Sequence, residues 1–314
     1  MVPLQLFTAS RLAIVAGKGG VGKTTVTAAL ARAAADQGLS VVVIDLDGRP
    51  GLAELLGGTT ALNYGEQVLA EGRDAAGTGR IVGRSLSAPT ALVEYLDDHG
   101  MRRVSRRLVS SGVVDVVSTA APGIDDLLVL GKIKQLERSG TADFIVVDGP
   151  AAGHAITFLL AAAALVDAVN VGPINTQARD VLAMLRDPAR CQVILVTIPE
   201  ETPVNETIET AFALEDRVGV QLGPVVVNAV DTAATDVPDP AAVVTGRTRH
   251  GGVLADAARF RRGRAANQRD QIDRLAAALP LPQVHLPYVF AAGITVDDVG
   301  RLARAIQGEP GMIR

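Results

Sequence analysis

Cysteine is almost missing from this chain. A single Cys191 in 314 residues excludes a disulfide framework within the chain, excludes a multidentate thiolate site for a soft metal, and fits a reducing compartment. Histidine is also scarce, and neither a cysteine nor a second histidine lies near His154 in sequence, so no zinc site is expected there. Excess positive charge is missing too. The formal net charge of -4 argues against nucleic acid as the main partner. Long apolar runs are absent. The longest, Ala155 to Val166, is interrupted by Thr157 and stops at Asp167, whereas a membrane-spanning helix needs about 20 such residues. It is read as a buried helix. Met1 to Ser10 has no basic start followed by an apolar core, so no signal peptide is expected. The chain is read as soluble and cytoplasmic, not as an integral membrane protein.

The length is high for one domain, yet α/β sheets carry it as a single unit, and residues 1–314 are expected to form one domain. A chain of this size buries about three quarters of its unfolded surface. Apolar, β-branched runs recur at Leu12 to Ala16, Val41 to Asp45, Val113 to Ser118, Phe144 to Asp148, Val193 to Thr197 and Val225 to Asn228, with helical segments between them. Strands without polar alternation are buried on both faces, which predicts a doubly wound, mostly parallel α/β sheet. Ligands of such sheets bind at the carboxyl ends of the strands. Residues 52–112 contain no convincing strand and are read as a helical insertion.

The chain is organised around Gly17 to Thr25, GKGGVGKTT, which follows the first apolar run and opens an alanine-rich helical segment. Strand, glycine loop and helix in this order make a phosphate-binding loop. Glycines let successive backbone amides turn inward, and these amides plus the helix N-terminus form a concave site for anionic oxygens. Gly19, Gly20, Val21, Gly22, Lys23, Thr24 and Thr25 are therefore assigned to a nucleotide, with Lys23 on the β and γ phosphates and the Thr24 hydroxyl on Mg²⁺. Lys18, directly after the first glycine, is a second lysine in the loop. It resembles the deviant Walker A signature of the MinD, ParA and ArsA class, in which this lysine reaches across a dimer to the partner's nucleotide. A charge supplied in trans is worth roughly 10³ to 10⁵ in phosphoryl-transfer rate.

Acidic residues fall at strand exits. Val41 to Asp45 leads into Asp45, Leu46, Asp47, Gly48, Arg49, Pro50 and Gly51, and two carboxylates beside a phosphate loop either serve metal and water chemistry or cap the next helix. Asp47 is assigned to the attacking water and Asp45 to the surroundings of Mg²⁺. Phe144 to Asp148 ends in Asp148, Gly149 and Pro150, a Walker B pattern in which Asp148 holds Mg²⁺ through water. His154 follows, either a sensor of the γ phosphate or an ordinary residue at a helix start. Asn228, at another strand exit, is able to pair its amide with an adenine edge, although asparagine is ordinary at such exits. Two arginine clusters, Arg102, Arg103, Arg106 and Arg107, and Arg259, Arg261, Arg262, Arg264 and Arg269, are read as solvated helix faces in preference to binding patches.

Taken together, GKGGVGKTT, DLDGRPG, APGIDD, VVDGPAAGH, VTIPEETPVNET, VVVNAV and LPYVFAAGIT resemble, in this order, the family of ArsA and the GET-type tail-anchored-protein targeting ATPases, in a bacterial form. The resemblance spans almost the whole chain. It implies a Mg-dependent ATPase that works as a homodimer, or as a heterodimer with a related subunit, closing over ATP and opening after hydrolysis to act on a client or partner protein with an apolar segment. It implies Asp47 as the residue polarising water, Lys18 as the lysine acting in trans, and Pro287, Tyr288 and Val289 with Asn228 around adenine. Departures are equally informative. Residues 158–190, a shortened helical region where relatives form an apolar client groove, contain Gly172 and Pro173. No CxxC pair exists to hold the zinc of eukaryotic dimers, and the family's DPAHN motif is replaced by Asp47, Gly48, Arg49, Pro50 and Gly51. That replacement keeps open a weakly hydrolysing regulatory subunit of a heterodimer. A positioning ATPase like ParA or MinD is the third reading.

Overall fold

The computed structural model describes residues 3–46, 48, 51–71, 79–98, 100–111, 123–232 and 251–308. Eight strands make one sheet: β1 (Leu12–Gly17), β2 (Ser40–Asp45), β3 (Gln67–Glu71), β4 (Arg80–Ser85), β5 (Phe144–Ala151), β6 (Cys191–Thr197), β7 (Val225–Val230) and β8 (Gln283–Pro287). Their order across the sheet is β3-β4-β2-β5-β1-β6-β7-β8. All neighbours pair in parallel except β3 with β4.

The predicted apolar runs become the centre of this sheet because both of their faces are covered. Leu12, Ile14 and Ala16 of β1 join one buried cluster, with helices α6 (Ile124–Ser139), α7 (Ala152–Ala168), α8 (Pro173–Arg186) and α9 (Glu201–Arg217). The alternate residues Ala13 and Val15 join a second cluster on the opposite face, with α2 (Lys23–Ala35) and α11 (Val296–Ile306). A period of two with apolar residues at every position is what a strand buried on both sides requires. Cys191 opens β6 fully buried, and burial pushes its thiol up to about 12. It serves as a small apolar residue.

Residues 52–112 correct the sequence reading. They are not a purely helical insertion: β3 and β4 lie in them and extend the sheet at one edge, before α4 (Ala88–Asp98) and α5 (Arg102–Ser111). Neither strand carries an unbroken apolar run. β3 is the half-exposed edge strand, and β4 contains Arg84, which is buried and donates to the Tyr64 carbonyl at 2.7 Å while its guanidinium stacks 5.2 Å from the Tyr64 ring. A buried arginine, bonded through one guanidinium nitrogen and stacked on a ring while its Nε has no hydrogen-bond partner among the described residues, hides a core strand from hydropathy. The expected strand Val113 to Ser118 and the start of APGIDD, Ala121 and Pro122, lie outside the described residues. Within 158–190 the chain is helical on both sides of a break at Gly172, after which Pro173 starts α8. No helix among the described residues is long and apolar enough to cross a membrane.

Candidate functional site

The glycine loop leaves β1 at the middle of the sheet, between β5 and β6, and runs directly into α2. Gly22 caps that helix with φ +88, a left-handed conformation natural to glycine. A Cβ at this position would stand 2.4 Å from Asn228 Nδ2, so the loop also needs the space. Lys23 opens the first turn of α2, and its ammonium donates to the Lys18 carbonyl at 3.4 Å. Gly20, Val21, Gly22 and Thr25 face a crevice of ≈ 440 Å³, and Gly19 is exposed at the tip of the loop. This is a ready anion cradle.

Three oxygen-bearing side chains converge next to it. Thr24 Oγ1 donates to Asp148 Oδ2 at 2.7 Å, and Asp45 sits in register with Asp148 on the adjacent strand. Thr24, Asp45 and Asp148 share a crevice of ≈ 390 Å³ with Leu52, Glu54 and Ile294. Asp148 is pushed up to about 6, first by burial and further by the Asp45 charge, against the hydrogen bond from Thr24 and the charge of Lys23. A buried carboxylate with a second one at its side is a site that a divalent cation relieves. Two carboxylates and a hydroxyl suit Mg²⁺, which takes few protein oxygens and keeps water and phosphate oxygens for the rest. The residues present therefore fit such a cation.

The other side of the loop is walled by the exits of β7 and β8. Asn228, Pro287, Tyr288 and Val289 all line the larger crevice, with Pro199 and Ile294. Asn228 donates one amide hydrogen to the Val21 carbonyl at 2.9 Å, tying this wall to the glycine loop. Tyr288 leaves the ladder with its N–H on the Val230 carbonyl at 2.8 Å, and its ring meets Phe290 edge-on at 4.7 Å. Strand β8 ends at Pro287, so the aromatic pair stands in the loop at the mouth.

Four residues at this site were missed by sequence reasoning. Arg264 and Gln268 of the long helix α10 (Gly251–Ala278) line the crevice, Arg264 with its guanidinium 5.5 Å from the Tyr288 ring. Arg261 holds both carboxylate oxygens of Asp231 at 2.7 and 2.8 Å and stacks 5.1 Å from the Phe290 ring. The arginines were read as a solvated face, which remains a fair description of the exposed Arg259, Arg262 and Arg269 and of Arg102, Arg103, Arg106 and Arg107 on α5. Arg261 and Arg264 depart from it. The fourth residue, Glu206 on α9, accepts from Lys18 Nζ at 2.7 Å. His154 is exposed on the first turn of α7, near Asp126, whose carboxyl is raised by burial first and then by the Asp125 charge, with His154 opposing only in part. Asp47 lies outside the described residues, as do Arg49 and Pro50.

Residues 10–171 match the family model described as anion-transporting ATPase, which contains the glycine loop, Asp45 and Asp148. ATPase BagA of Mycobacterium tuberculosis is 34% identical over 227 residues, covering 69% of this chain and 64% of the relative. A putative arsenical pump-driving ATPase of Halobacterium salinarum is 22% identical over 331 residues, covering 99% and 46% respectively. The arsenical pump-driving ATPase of Escherichia coli is 29% identical over 233 residues, covering 72% and 36%. The chain thus spans less than two thirds of the length of each of these relatives.

Proposed function

Since the chain belongs to the ArsA-type ATPase family, we propose that it binds and hydrolyses Mg-ATP and uses the cycle, as a dimer, to act on a partner or client protein. The observation that carries this reading is the Thr24–Asp148 hydrogen bond at the first turn of α2, which sets an oxygen site for a cation beside an anion cradle. The loop N–H groups and Lys23 neutralise the β and γ phosphates. Thr24, Asp148 and Asp45 hold Mg²⁺, which when bound neutralises charge developing on the phosphate oxygens. Asp47 orients a water in line with the γ phosphorus. The new P–O bond forms as the bond to the β-phosphate oxygen breaks, leaving ADP and phosphate. Asn228, Pro287, Tyr288 and Val289 surround adenine.

Lys18 acts on the nucleotide of a second copy, or of a related subunit. In the single chain it is held by Glu206, so engagement in trans exchanges one anionic partner for another. The reading does not extend to soft-anion capture, because Cys191 is fully buried at the start of β6. A location in the cytoplasm, where Mg-ATP is abundant and thiols stay reduced, belongs to the same proposal.

Steady-state Mg-ATP turnover of the protein beside Asp47→Asn, at several protein concentrations, tests it. Turnover that rises with concentration and is lost in Asp47→Asn is the expected result. Tight ATP binding without turnover would overturn the hydrolytic part and leave a regulatory subunit whose altered Asp47 to Gly51 segment no longer supports hydrolysis. ATP-dependent sedimentation with DNA or liposomes would replace the client reading with a positioning ATPase.

A further inference from the structure

The exit of β7 holds the one non-glycine residue with positive φ among the described residues. Ala229, φ +58, occupies the left-handed region that L side chains disfavour. Its position makes that conformation consequential. On one side stands Asn228, whose amide is bonded to the Val21 carbonyl of the glycine loop; on the other, Val230, whose carbonyl takes the Tyr288 N–H. The turn at Ala229 therefore decides where two walls of the crevice stand.

The sheet does not hold this turn by itself. The register between β7 and β8 shifts between Val227 and Val230, so the ladder is interrupted where Asn228 and Ala229 lie. One side chain from α10 bridges the interruption. Gln268, 4% exposed, accepts from the Asp231 N–H at 3.0 Å and donates through Nε2 to the Ala229 carbonyl at 3.4 Å. Its amide thus grips two backbone groups on either side of Val230. Arg261, two turns earlier on the same helix, holds the Asp231 carboxylate and reinforces the same segment.

We propose that Gln268 is a positioning residue for base selection: by holding Ala229 in its left-handed conformation it sets the pose of Asn228 in the crevice, and with it the preference for adenine over guanine. The assignment rests on reading the crevice as a nucleotide site. Gln268 makes no hydrogen bond to the phosphate cradle itself and reaches it indirectly, through Asn228 and its bond to the Val21 carbonyl, so its influence falls first on the base end. Asn228 carries the donor and acceptor that complement the 6-amino edge of adenine, and a rotated Asn228 presents them out of line. Gln268 acts through backbone, not by touching substrate.

The test compares equilibrium binding of Mg-ATP, Mg-GTP and Mg-tripolyphosphate by wild type, Gln268→Met and Gln268→Met with Ala229→Gly, with melting temperatures of each. Methionine keeps the length and loses both hydrogen bonds. Gln268→Met is expected to narrow the ATP-to-GTP affinity ratio by about tenfold, the effect of one or two hydrogen bonds, with a smaller loss of tripolyphosphate binding than of ATP binding. Glycine at 229 adopts positive φ freely and is expected to recover part of the ratio in the double variant. Equal losses for ATP and tripolyphosphate, or an unchanged ratio, would overturn the assignment and leave Gln268 a packing residue. Wild-type protein that binds tripolyphosphate but does not distinguish ATP from GTP would overturn it too. Wild-type protein that binds none of the three would remove the nucleotide reading itself, which separates that failure from the failure of Gln268.

Discussion

Lys18 and Glu206 form an ion pair within one chain, 2.7 Å between Nζ and Oε1, although 188 positions separate them. The pair joins the phosphate loop to α9, and both side chains are roughly one-third exposed, at 36% and 38%. An exposed pair of this kind contributes about 0–1 kcal/mol, so it biases Lys18 toward its own chain without locking it. Release of Lys18 by Glu206→Gln is expected to raise concentration-dependent Mg-ATP turnover up to about fivefold, the equivalent of that energy. Added salt should narrow the difference, because exposed charges are screened. A fall in turnover matching that of Lys18→Ala would show instead that Glu206 orients the lysine for chemistry.

Asp148 makes the apo fold sensitive to pH. Burial first, then the Asp45 charge, raise its carboxyl from 3.8 to about 6, so the folded chain holds that proton more tightly than the unfolded chain. The stability from the protonated form is fully present below pH 3.8 and is lost as pH rises through about 6. Asp148→Asn, which needs no proton, is expected to stabilise the metal-free protein at pH 7.5 by on the order of 2 kcal/mol. The same variant should lose the stabilisation that Mg-ATP confers on wild type. Thermal melts with and without Mg-ATP at pH 5 and 7.5 check both signs. Equal melting temperatures for the two metal-free proteins at pH 7.5 would contradict the assigned burial cost.

Gly22→Ala tests the contact between the glycine loop and the base wall. The new Cβ meets a left-handed backbone and the Asn228 amide at 2.4 Å, so the loop and the Asn228–Val21 bond are both disturbed. A left-handed alanine costs about 1–2 kcal/mol and a lost hydrogen bond about 1 kcal/mol more. Together these cost the folded loop about 2–3 kcal/mol, and a loop displaced by that strain is expected to lose about tenfold or more in nucleotide affinity, measured by direct titration. Wild-type affinity in this variant would mean that the loop adopts another conformation when it binds.

Cys191 should not react in the native state. Its thiol is fully buried and burial raises it to about 12, leaving little thiolate at neutral pH. A thiol reagent is expected to label it only in denaturant, at a rate in native buffer limited by unfolding. Rapid native labelling would show that the start of β6 opens locally. Cys191→Ser, which buries a hydroxyl in place of a thiol, should cost about 1–3 kcal/mol in chemical denaturation.

The chemistry of the site was legible where it lies on strands buried from both sides. Leu12 to Gly17, Ser40 to Asp45 and Phe144 to Asp148 are apolar without alternation, so their parallel pairing and the placing of Asp45 and Asp148 beside the glycine loop follow from local pattern. β3 and β4 were not legible. An antiparallel edge needs only one covered face, and a strand that carries a buried Arg84, bonded to the Tyr64 carbonyl, gives no apolar run.

By itself the sequence determined the central α/β sheet, the glycine loop and the oxygen groups at the strand ends. Each depends on residues adjacent in the chain, whose backbone preferences and periodicity are local. Only the tertiary structure decided that Lys18 meets Glu206, that Arg261 and Arg264 turn onto Phe290 and Tyr288, and that Gln268 braces Ala229. These pairings depend on how α9 and α10 are rotated and set against the strand exits, a choice made by packing across the whole core, which short-range sequence patterns do not encode.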